Sequence, residues 1–157
     1  MKRSPMPNRK EPMRRGAGLG PGQPIKRTKA MKRGKSRKVL DFEAELDALR
    51  PVILRRSGGR CEIAVPNQCL GRAPVMMVEQ ADGQEVPVAA NVHHRRPRGQ
   101  GGSNDPANLL HLCGSGTTGC HGYIESNRTV ARANGWLLEF GQDPRIVPVI
   151  SFRDTRP

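Results

Sequence analysis

The stretch "NVHHRRPRGQGGSNDPANLLHLC", residues 91 to 113, carries the pattern that decides the fold. A short β-prone run ends in two histidines, an Arg- and Gly-rich loop follows, and a second apolar run ends in a cysteine. Two such runs around a turn-forming loop predict a pair of strands. Three of the four histidines and one of the four cysteines fall in this stretch, so it is also where we expect the chemistry of the protein.

Upstream of this stretch, apolar residues recur at helical spacing. Phe42 and Ile53 belong to this pattern, with acidic residues on the other side. The spacing predicts a helix from about Asp41, kinked or restarted at Pro51 and ended by the glycine pair at 58 and 59. After it, "APVMMVEQADGQEVPVAANV" places two β-prone runs around an Asp-Gly turn, which predicts a hairpin.

Downstream, the pattern continues with a helix. We expect strands over 89–94 and in "NLLHLC", a helix over "CHGYIESNRTVARANG" that closes at Asn134-Gly135, and a short terminal β unit in "WLLEF" and "RIVPVI". The fold class is therefore small α+β, with a ββα unit that carries cysteines at its base. With 35% hydrophobic and 3% aromatic residues, something besides apolar burial is expected to hold it together.

Charge divides the chain into two parts. Residues 1 to 38 hold 14 of the 27 lysines and arginines but only one of the 14 acids, Glu11, so the remainder is formally neutral. We interpret residues 1–38 as a disordered basic arm and residues 39–157 as the folded domain. A dense basic arm favours a polyanion, with nucleic acid ahead of an anionic membrane, although a solvated tail without a partner is the alternative.

Neither a membrane span nor a secretory signal is evident. No window approaches about 18 consecutive apolar residues, and the amino terminus lacks the apolar stretch of a signal peptide. We therefore expect a cytoplasmic protein. In a reducing compartment four cysteines fit metal ligands better than two disulfides, although the sequence leaves the pairing open.

The four cysteines form two pairs. Seven residues separate Cys61 from Cys69 and six separate Cys113 from Cys120, whereas zinc knuckles commonly have two to four. Both intervening segments contain turn-forming residues, so each pair could fold back to present two thiolates. Four thiolates suit a structural Zn²⁺, which would add folding free energy to a small core. Unconnected buried cysteines are the alternative.

The paired histidines cannot share one role. Neighbours on a strand point to opposite faces, so one of His93 and His94 can face a metal while the other faces a substrate. His111 falls out of phase with the apolar positions of its run, and we expect it to face solvent or pack locally rather than bind metal. Arg95, Arg96 and Arg98 are interpreted as phosphate contacts, with a simple solvated face as the alternative.

The combination "HHRRPRGQGGSNDPANLLHLC…CH" resembles the HNH endonuclease family, also called ββα-metal nucleases. The resemblance covers roughly residues 60–134 and is closest to small bacteriophage and actinobacterial HNH proteins with four zinc cysteines. It implies a ββα-metal (His-Me finger) core and metal-dependent hydrolysis of DNA that leaves 5′-phosphate and 3′-hydroxyl ends.

The resemblance also implies residue roles. His94 would be the general base, and Asn108 would hold the Gly-rich loop to the histidine strand. His93 and His121 would bind a catalytic divalent cation, Mg²⁺, Mn²⁺, Ni²⁺ or Zn²⁺. The chemistry agrees, because a neutral imidazole can take a proton from water near neutral pH.

Two features depart from the family pattern. Many members carry His or Asn four residues after the helix histidine, where this chain has Glu125, which would lie on the same helical face and complete the metal shell. The segment between Cys113 and Cys120 is also longer than usual. Restriction, homing and a role beside a phage packaging machinery in a bacterial or phage-infected cell all fit such a nuclease. A non-catalytic, zinc-stabilised nucleic-acid-binding module is the alternative.

Overall fold

A computed structural model describes residues 34 to 153. The predicted arm therefore lies almost wholly outside the described residues. The described part is a small α+β fold whose strands form two two-stranded antiparallel sheets. Its helices and strands are α1 (Arg37–Ser57), β1 (Val75–Glu79), β2 (Glu85–Ala89), β3 (Val92–His94), β4 (Leu109–His111), α2 (Gly119–Ser126) and α3 (Arg128–Ala133).

Helix α1 is longer and more regular than predicted. It begins at Arg37, so the expected boundary after residue 38 falls inside its first turn, where Arg37 pairs with Asp41 at 2.9 Å. It also continues through Pro51. A proline removes one helical hydrogen bond, but apolar contacts to the rest of the fold flank this position. The helix ends as predicted at Gly58, whose positive φ of 61° is a conformation that favours glycine.

The first hairpin is confirmed. Strands β1 and β2 pair from Val75↔Ala89 to Glu79↔Glu85 around the Asp-Gly turn. Strand β2 packs on α1, while β1 is exposed along its whole length. A small core of Ile53, Ala89 and Leu109 joins this hairpin, α1 and β4.

The second hairpin, which contains the histidine pair, is confirmed as well. Strands β3 and β4 pair with Val92↔His111 and His94↔Leu109 in register. The single helix predicted after it is instead two short helices, because Asn127 leaves helical geometry at φ −125° and ψ 54°. The Asn127 side chain donates to the carbonyl oxygen of Tyr123 at 3.0 Å, which closes the end of α2.

The larger core surrounds Trp136 and three of the four cysteines. Ile63, Leu112 and Ile124 are fully buried in it, together with Cys61, Cys113 and Cys120. Three of the four cysteines therefore lie within the hydrophobic core, and Cys69 packs against it. Among the described residues, no helix combines the length and apolar character needed to cross a membrane.

The prediction of a terminal β unit is wrong. Residues 135–153 form no strand, and their backbone makes single contacts such as Leu138 N to Arg95 O at 2.8 Å and Phe152 N to Ile63 O at 2.9 Å. The physical reason is the buried guanidinium of Arg95. It donates to carbonyl oxygens that a neighbouring strand would otherwise satisfy, those of Ala107, Gly135, Pro144 and Val147.

Candidate functional site

The four cysteine sulfurs converge on one point. All four lie within 4.8 Å of one another, and the Sγ atoms of Cys69 and Cys113 are 3.9 Å apart. A tetrahedral zinc with Zn–S bonds of about 2.3 Å requires S···S separations of about 3.8 Å. The four cysteines are free thiols. The cluster could therefore bind a metal ion.

Two loops place these sulfurs, and each closes through backbone turns. In the first, the N–H of Cys69 donates to the carbonyl oxygen of Val65 at 2.9 Å. In the second, Gly114 has a φ of 81°, and a Cβ there would lie 2.0 Å from the carbonyl oxygen of Thr118. Backbone N–H groups of Leu70 and Cys120 point at the Cys113 sulfur at 3.3 and 3.4 Å. Such donors stabilise a thiolate.

The thiols oppose one another's ionisation. The Cys120 thiol donates to the Cys61 sulfur, which lowers the pKa of Cys61 to about 5 and raises the pKa of Cys120. Burial raises the pKa of the Cys113 thiol, and the Cys61 thiolate adds to that effect. Four thiolates at this spacing need a cation to offset their repulsion.

A second cluster opens into a cleft of about 520 Å³. Ligand atoms of His93, His121 and Glu125 lie within 4.8 Å of one another. Strand β3 supplies His93, and one turn of α2 supplies the other two from the same face. The structure thus brings together the three residues that the sequence predicted as ligands of a catalytic cation.

The two histidines of this cluster are held by their outward ring nitrogens. His93 Nε2 lies 3.2 Å from the carbonyl oxygen of Trp136, and His121 Nδ1 lies 2.9 Å from Asn91 Oδ1. The Asn91 amide nitrogen donates to the carbonyl oxygens of Leu112 and Gly114, which fixes its oxygen as the acceptor. His121 Nδ1 must then donate, and its Nε2 keeps a lone pair.

Burial keeps both rings neutral. It lowers the pKa of His93 to about 4, with the nearby His121 adding to the effect. Burial also lowers the pKa of His121, although the Glu125 carboxylate opposes this. Neutral imidazoles are the form that binds metals. Both histidines are therefore ready to bind a cation at neutral pH.

His94 lies beside this cluster and is held by a different set of residues. Its ring stacks on Phe42 of α1 with centroids 5.6 Å apart, and its Nε2 lies 2.9 Å from Asn104 Oδ1. The Asn104 amide donates in turn to the Phe42 carbonyl oxygen at 2.8 Å and to Glu45 Oε2 at 3.0 Å. His94 Nε2 is therefore the protonated nitrogen, and Nδ1 carries the lone pair.

Sequence reasoning missed both of these asparagines. Asn91 and Asn104 lie inside the quoted stretch, but nothing local distinguishes them from ordinary turn residues. Asn104 is only 1% exposed, and this burial distinguishes it from an ordinary turn residue. The burial depends on helix α1, which is distant in the sequence, so the residues around Asn104 do not reveal it.

Asn108 makes the contacts that the sequence led us to expect. Its side-chain oxygen accepts from the N–H of Arg96 at 2.7 Å, and its amide donates to the carbonyl oxygens of Arg96 and Ser103. It therefore fastens the Gly-rich loop to the end of β3. It is fully buried and does not line the histidine cleft.

The three arginines expected at phosphates separate into different environments. Arg95 is 1% exposed, and burial lowers the pKa of its guanidinium, so its interpretation as a phosphate contact is wrong. Arg96 Nη2 donates to the carbonyl oxygen of Gly101 at 2.9 Å. Arg98 is exposed, lines the cleft and lies over the Phe42 ring at 4.6 Å. Arg128 also lines the cleft and was missed.

His111 is buried rather than solvent-facing. Its Nδ1 lies 2.7 Å from the Ser57 hydroxyl and its Nε2 lies 2.9 Å from the carbonyl oxygen of Pro74. Solvent exposure is therefore wrong, and the ring is packed against residues that are distant in the sequence rather than against local ones. The ring joins the end of α1 to the segment before β1 and belongs to neither cluster of potential ligands.

Comparison with protein-family models, curated proteins and solved structures finds no match for the chain.

Proposed function

We propose that the chain is a metal-dependent endonuclease of the HNH type that hydrolyses phosphodiester bonds of DNA. One observation carries this proposal. A single cleft contains a histidine held in one tautomer, His94, beside three groups that can bind a cation, His93, His121 and Glu125. A general base next to a cation site is the minimum equipment for hydrolysis of a phosphodiester at neutral pH.

In this proposal His94 acts as the base. Asn104 holds the proton on Nε2, so Nδ1 is the atom that accepts a proton from water attacking in line with the departing 3′ oxygen. The bond from phosphorus to that oxygen breaks and the departing oxygen takes a proton from solvent water, which leaves a 5′-phosphate and a 3′-hydroxyl. Stacking on Phe42 keeps the ring in place from the other side.

The cation residues fit Mg²⁺, Mn²⁺, Ni²⁺ or Zn²⁺, since two imidazoles and one carboxylate suit a divalent cation that retains open positions. When bound, such a cation stabilises negative charge on the scissile phosphate. The protein contributes two neutral rings whose outer nitrogens are already engaged by Trp136 and Asn91.

Cationic side chains at the rim of the cleft would position the phosphate. Arg98 and Arg128 both line the cleft and are exposed. Contacts of this kind place the backbone without reading the base sequence. DNA is therefore the proposed partner, bound chiefly through its phosphates.

The cysteine cluster is proposed to hold a structural Zn²⁺. Four protein sulfurs would fill the four positions of a tetrahedral zinc and leave none for water or substrate, which is the arrangement of a structural site. A reducing compartment such as the cytoplasm of a bacterial or phage-infected cell would keep these thiols available.

Nicking of a supercoiled plasmid by the purified chain tests the proposal. We expect nicking with Mg²⁺, Mn²⁺ or Ni²⁺ and a loss of about 10²–10⁴-fold in the His94→Ala variant. The variant should keep its zinc and its affinity for DNA. Equal nicking by His94→Ala and the wild type would show that this residue is not the base.

A non-catalytic zinc module that binds nucleic acid is the second candidate. The contact between Glu125 and Arg128, at 3.1 Å, favours it because an engaged carboxylate is a weaker metal ligand. Absence of nicking under every cation, with tight DNA binding retained, would favour this candidate. Restriction, homing and phage packaging remain compatible with the first.

A further inference from the structure

A second and larger cleft lies outside the histidine site. It measures about 1320 Å³ and shares no lining residue with the cleft that contains His93 and His94. Pockets for small molecules measure roughly 300–1,000 Å³, so this cleft suits an extended ligand. Glu62 is the single acid in its described lining, whereas its basic residues are Arg56, Arg60, Arg72, Arg95, Arg145 and Arg153.

Three of these arginines are already engaged by the protein. Arg56 makes a two-pronged contact with the Glu62 carboxylate at 2.7 and 2.8 Å. Arg145 pairs with Asp105 through its Nε at 2.8 Å. Arg95 donates to four backbone carbonyl oxygens, as described above. These three side chains form walls of the cleft. Carboxylates offset the charges of Arg56 and Arg145, so only the buried Arg95 keeps an excess positive charge.

The other three have side chains without a partner among residues 34–153. No hydrogen bond or ion pair is found there for the guanidinium groups of Arg60, Arg72 and Arg153. Arg60 and Arg72 face each other in an antiparallel bridge, one on each side of the first cysteine loop. Like charges opposite each other on paired segments are destabilising, and a bound anion would relieve that repulsion.

We infer that these three residues, Arg60, Arg72 and Arg153, form an arginine groove that binds the sugar-phosphate backbone of double-stranded DNA. The inference rests on DNA as the partner in the proposed function, but not on cleavage. Guanidinium groups are the side chains best suited to phosphate oxygens, because they donate two parallel hydrogen bonds. The groove would hold the duplex at a place separate from the bond that is cut.

The lining of the groove favours a duplex over other anions. It contains no aromatic side chain among its described residues. Single strands are usually bound by stacking of bases on aromatic rings, whereas a duplex keeps its bases inside and offers phosphates alone.

The first test is the salt dependence of DNA binding by the full chain, measured without added divalent cation so that cleavage does not enter. Each phosphate contact contributes about 0.9 to the slope of log affinity against log salt concentration. The triple variant Arg60→Gln, Arg72→Gln, Arg153→Gln should therefore lower the slope by about 2.7. The matched control, Arg37→Gln, Arg55→Gln, Arg132→Gln, removes the same charge from exposed helix positions. An equal loss in both variants would overturn the groove, since charge alone would then explain it.

The second test locates the contact in the unmodified chain, so it does not depend on the folding of a variant. Phenylglyoxal modifies free arginines, and mass spectrometry identifies which ones react. A 16-base-pair duplex should protect Arg60, Arg72 and Arg153, while Arg55, exposed on α1, continues to react. Equal protection by a single strand or by polyglutamate at matched charge, or no protection at all, would overturn the inference. If the plasmid is nicked but the three arginines are not protected, the proposed function is retained and the groove is rejected. If the three arginines are protected but the plasmid is not nicked, the groove is retained and the proposed function is rejected.

Discussion

The two clusters of potential metal ligands, one of cysteines and one of His93, His121 and Glu125, differ in what holds their side chains in place. The cysteine sulfurs lie mostly in the core, and their ionisation is mutually opposed. The histidines face a cleft, and each ring is already neutral and fixed by a hydrogen bond from within the protein. We therefore expect the first cluster to depend on a cation for its stability, and the second, which protein contacts hold in place, to bind or lose a cation without unfolding of the domain.

Removal of one thiol should have the largest effect on the difference between the two clusters. In Cys61→Ser the hydroxyl does not replace the thiolate, and structural zinc supplies about 10–16 kcal/mol of folding free energy in small domains. That exceeds the stability of most domains, about 5–15 kcal/mol. We expect the body to be unfolded and zinc-free, as measured by circular dichroism and metal content. The matched control Ser115→Ala, in the exposed second loop, should stay folded with one zinc. A folded, zinc-free Cys61→Ser protein would show that the cysteines are ordinary core residues.

A histidine ligand should behave in the opposite way. We expect His121→Ala to lose affinity for Ni²⁺ by at least the roughly 10–100-fold that loss of an outer partner costs, with the fold and the zinc content unchanged. Calorimetric titration with Ni²⁺ and thermal melting measure the two quantities together. Ser126→Ala, exposed on the same helix, is the control. If His121→Ala also loses its zinc or its fold, the two clusters are not independent.

The sequence predicted more of the strands and ligands than of their surroundings. Alternating patterns and turn residues act over a few positions, so the two hairpins, the end of α1 at Gly58 and the clustering of the four cysteines could be inferred. The burial of Arg95 and His111 could not, because their partners are carbonyl and hydroxyl oxygens from segments far away in the chain. The terminal strands failed for the same reason, since a side chain took the place of a neighbouring strand.

Arg95 offers a smaller perturbation of the same hairpin. In Arg95→Lys the charge is kept, but one ammonium group cannot reach all four carbonyl oxygens that the guanidinium satisfies. Each buried group left without a partner costs about 1–3 kcal/mol. We expect the free energy of unfolding in urea to fall by about that amount at saturating zinc. Arg96→Lys, with fewer contacts and partial exposure, should change it by less than half as much. Equal effects in the two variants would mean that the carbonyl contacts of Arg95 contribute little.

The smallest and most informative change concerns the residue that orients the proposed base. Asn104 joins His94 to Glu45 of α1. The Asn104 amide nitrogen donates to the Phe42 carbonyl oxygen and to Glu45, so the Asn104 side-chain oxygen is the atom that accepts from the His94 imidazole. Asn104→Asp alone would place a carboxylate against Glu45, so it is combined with Glu45→Gln, which supplies a donor in return. A carboxylate touching the ring favours protonated His94. We therefore expect the acidic limb of the pH–rate profile for plasmid nicking to move to higher pH. Asn104→Ala should instead lower the rate about 10-fold without moving the limb, because it loosens the ring but adds no charge. An unmoved limb in the double variant, with the fold intact, would mean that Asn104 supports the loop and does not act through His94.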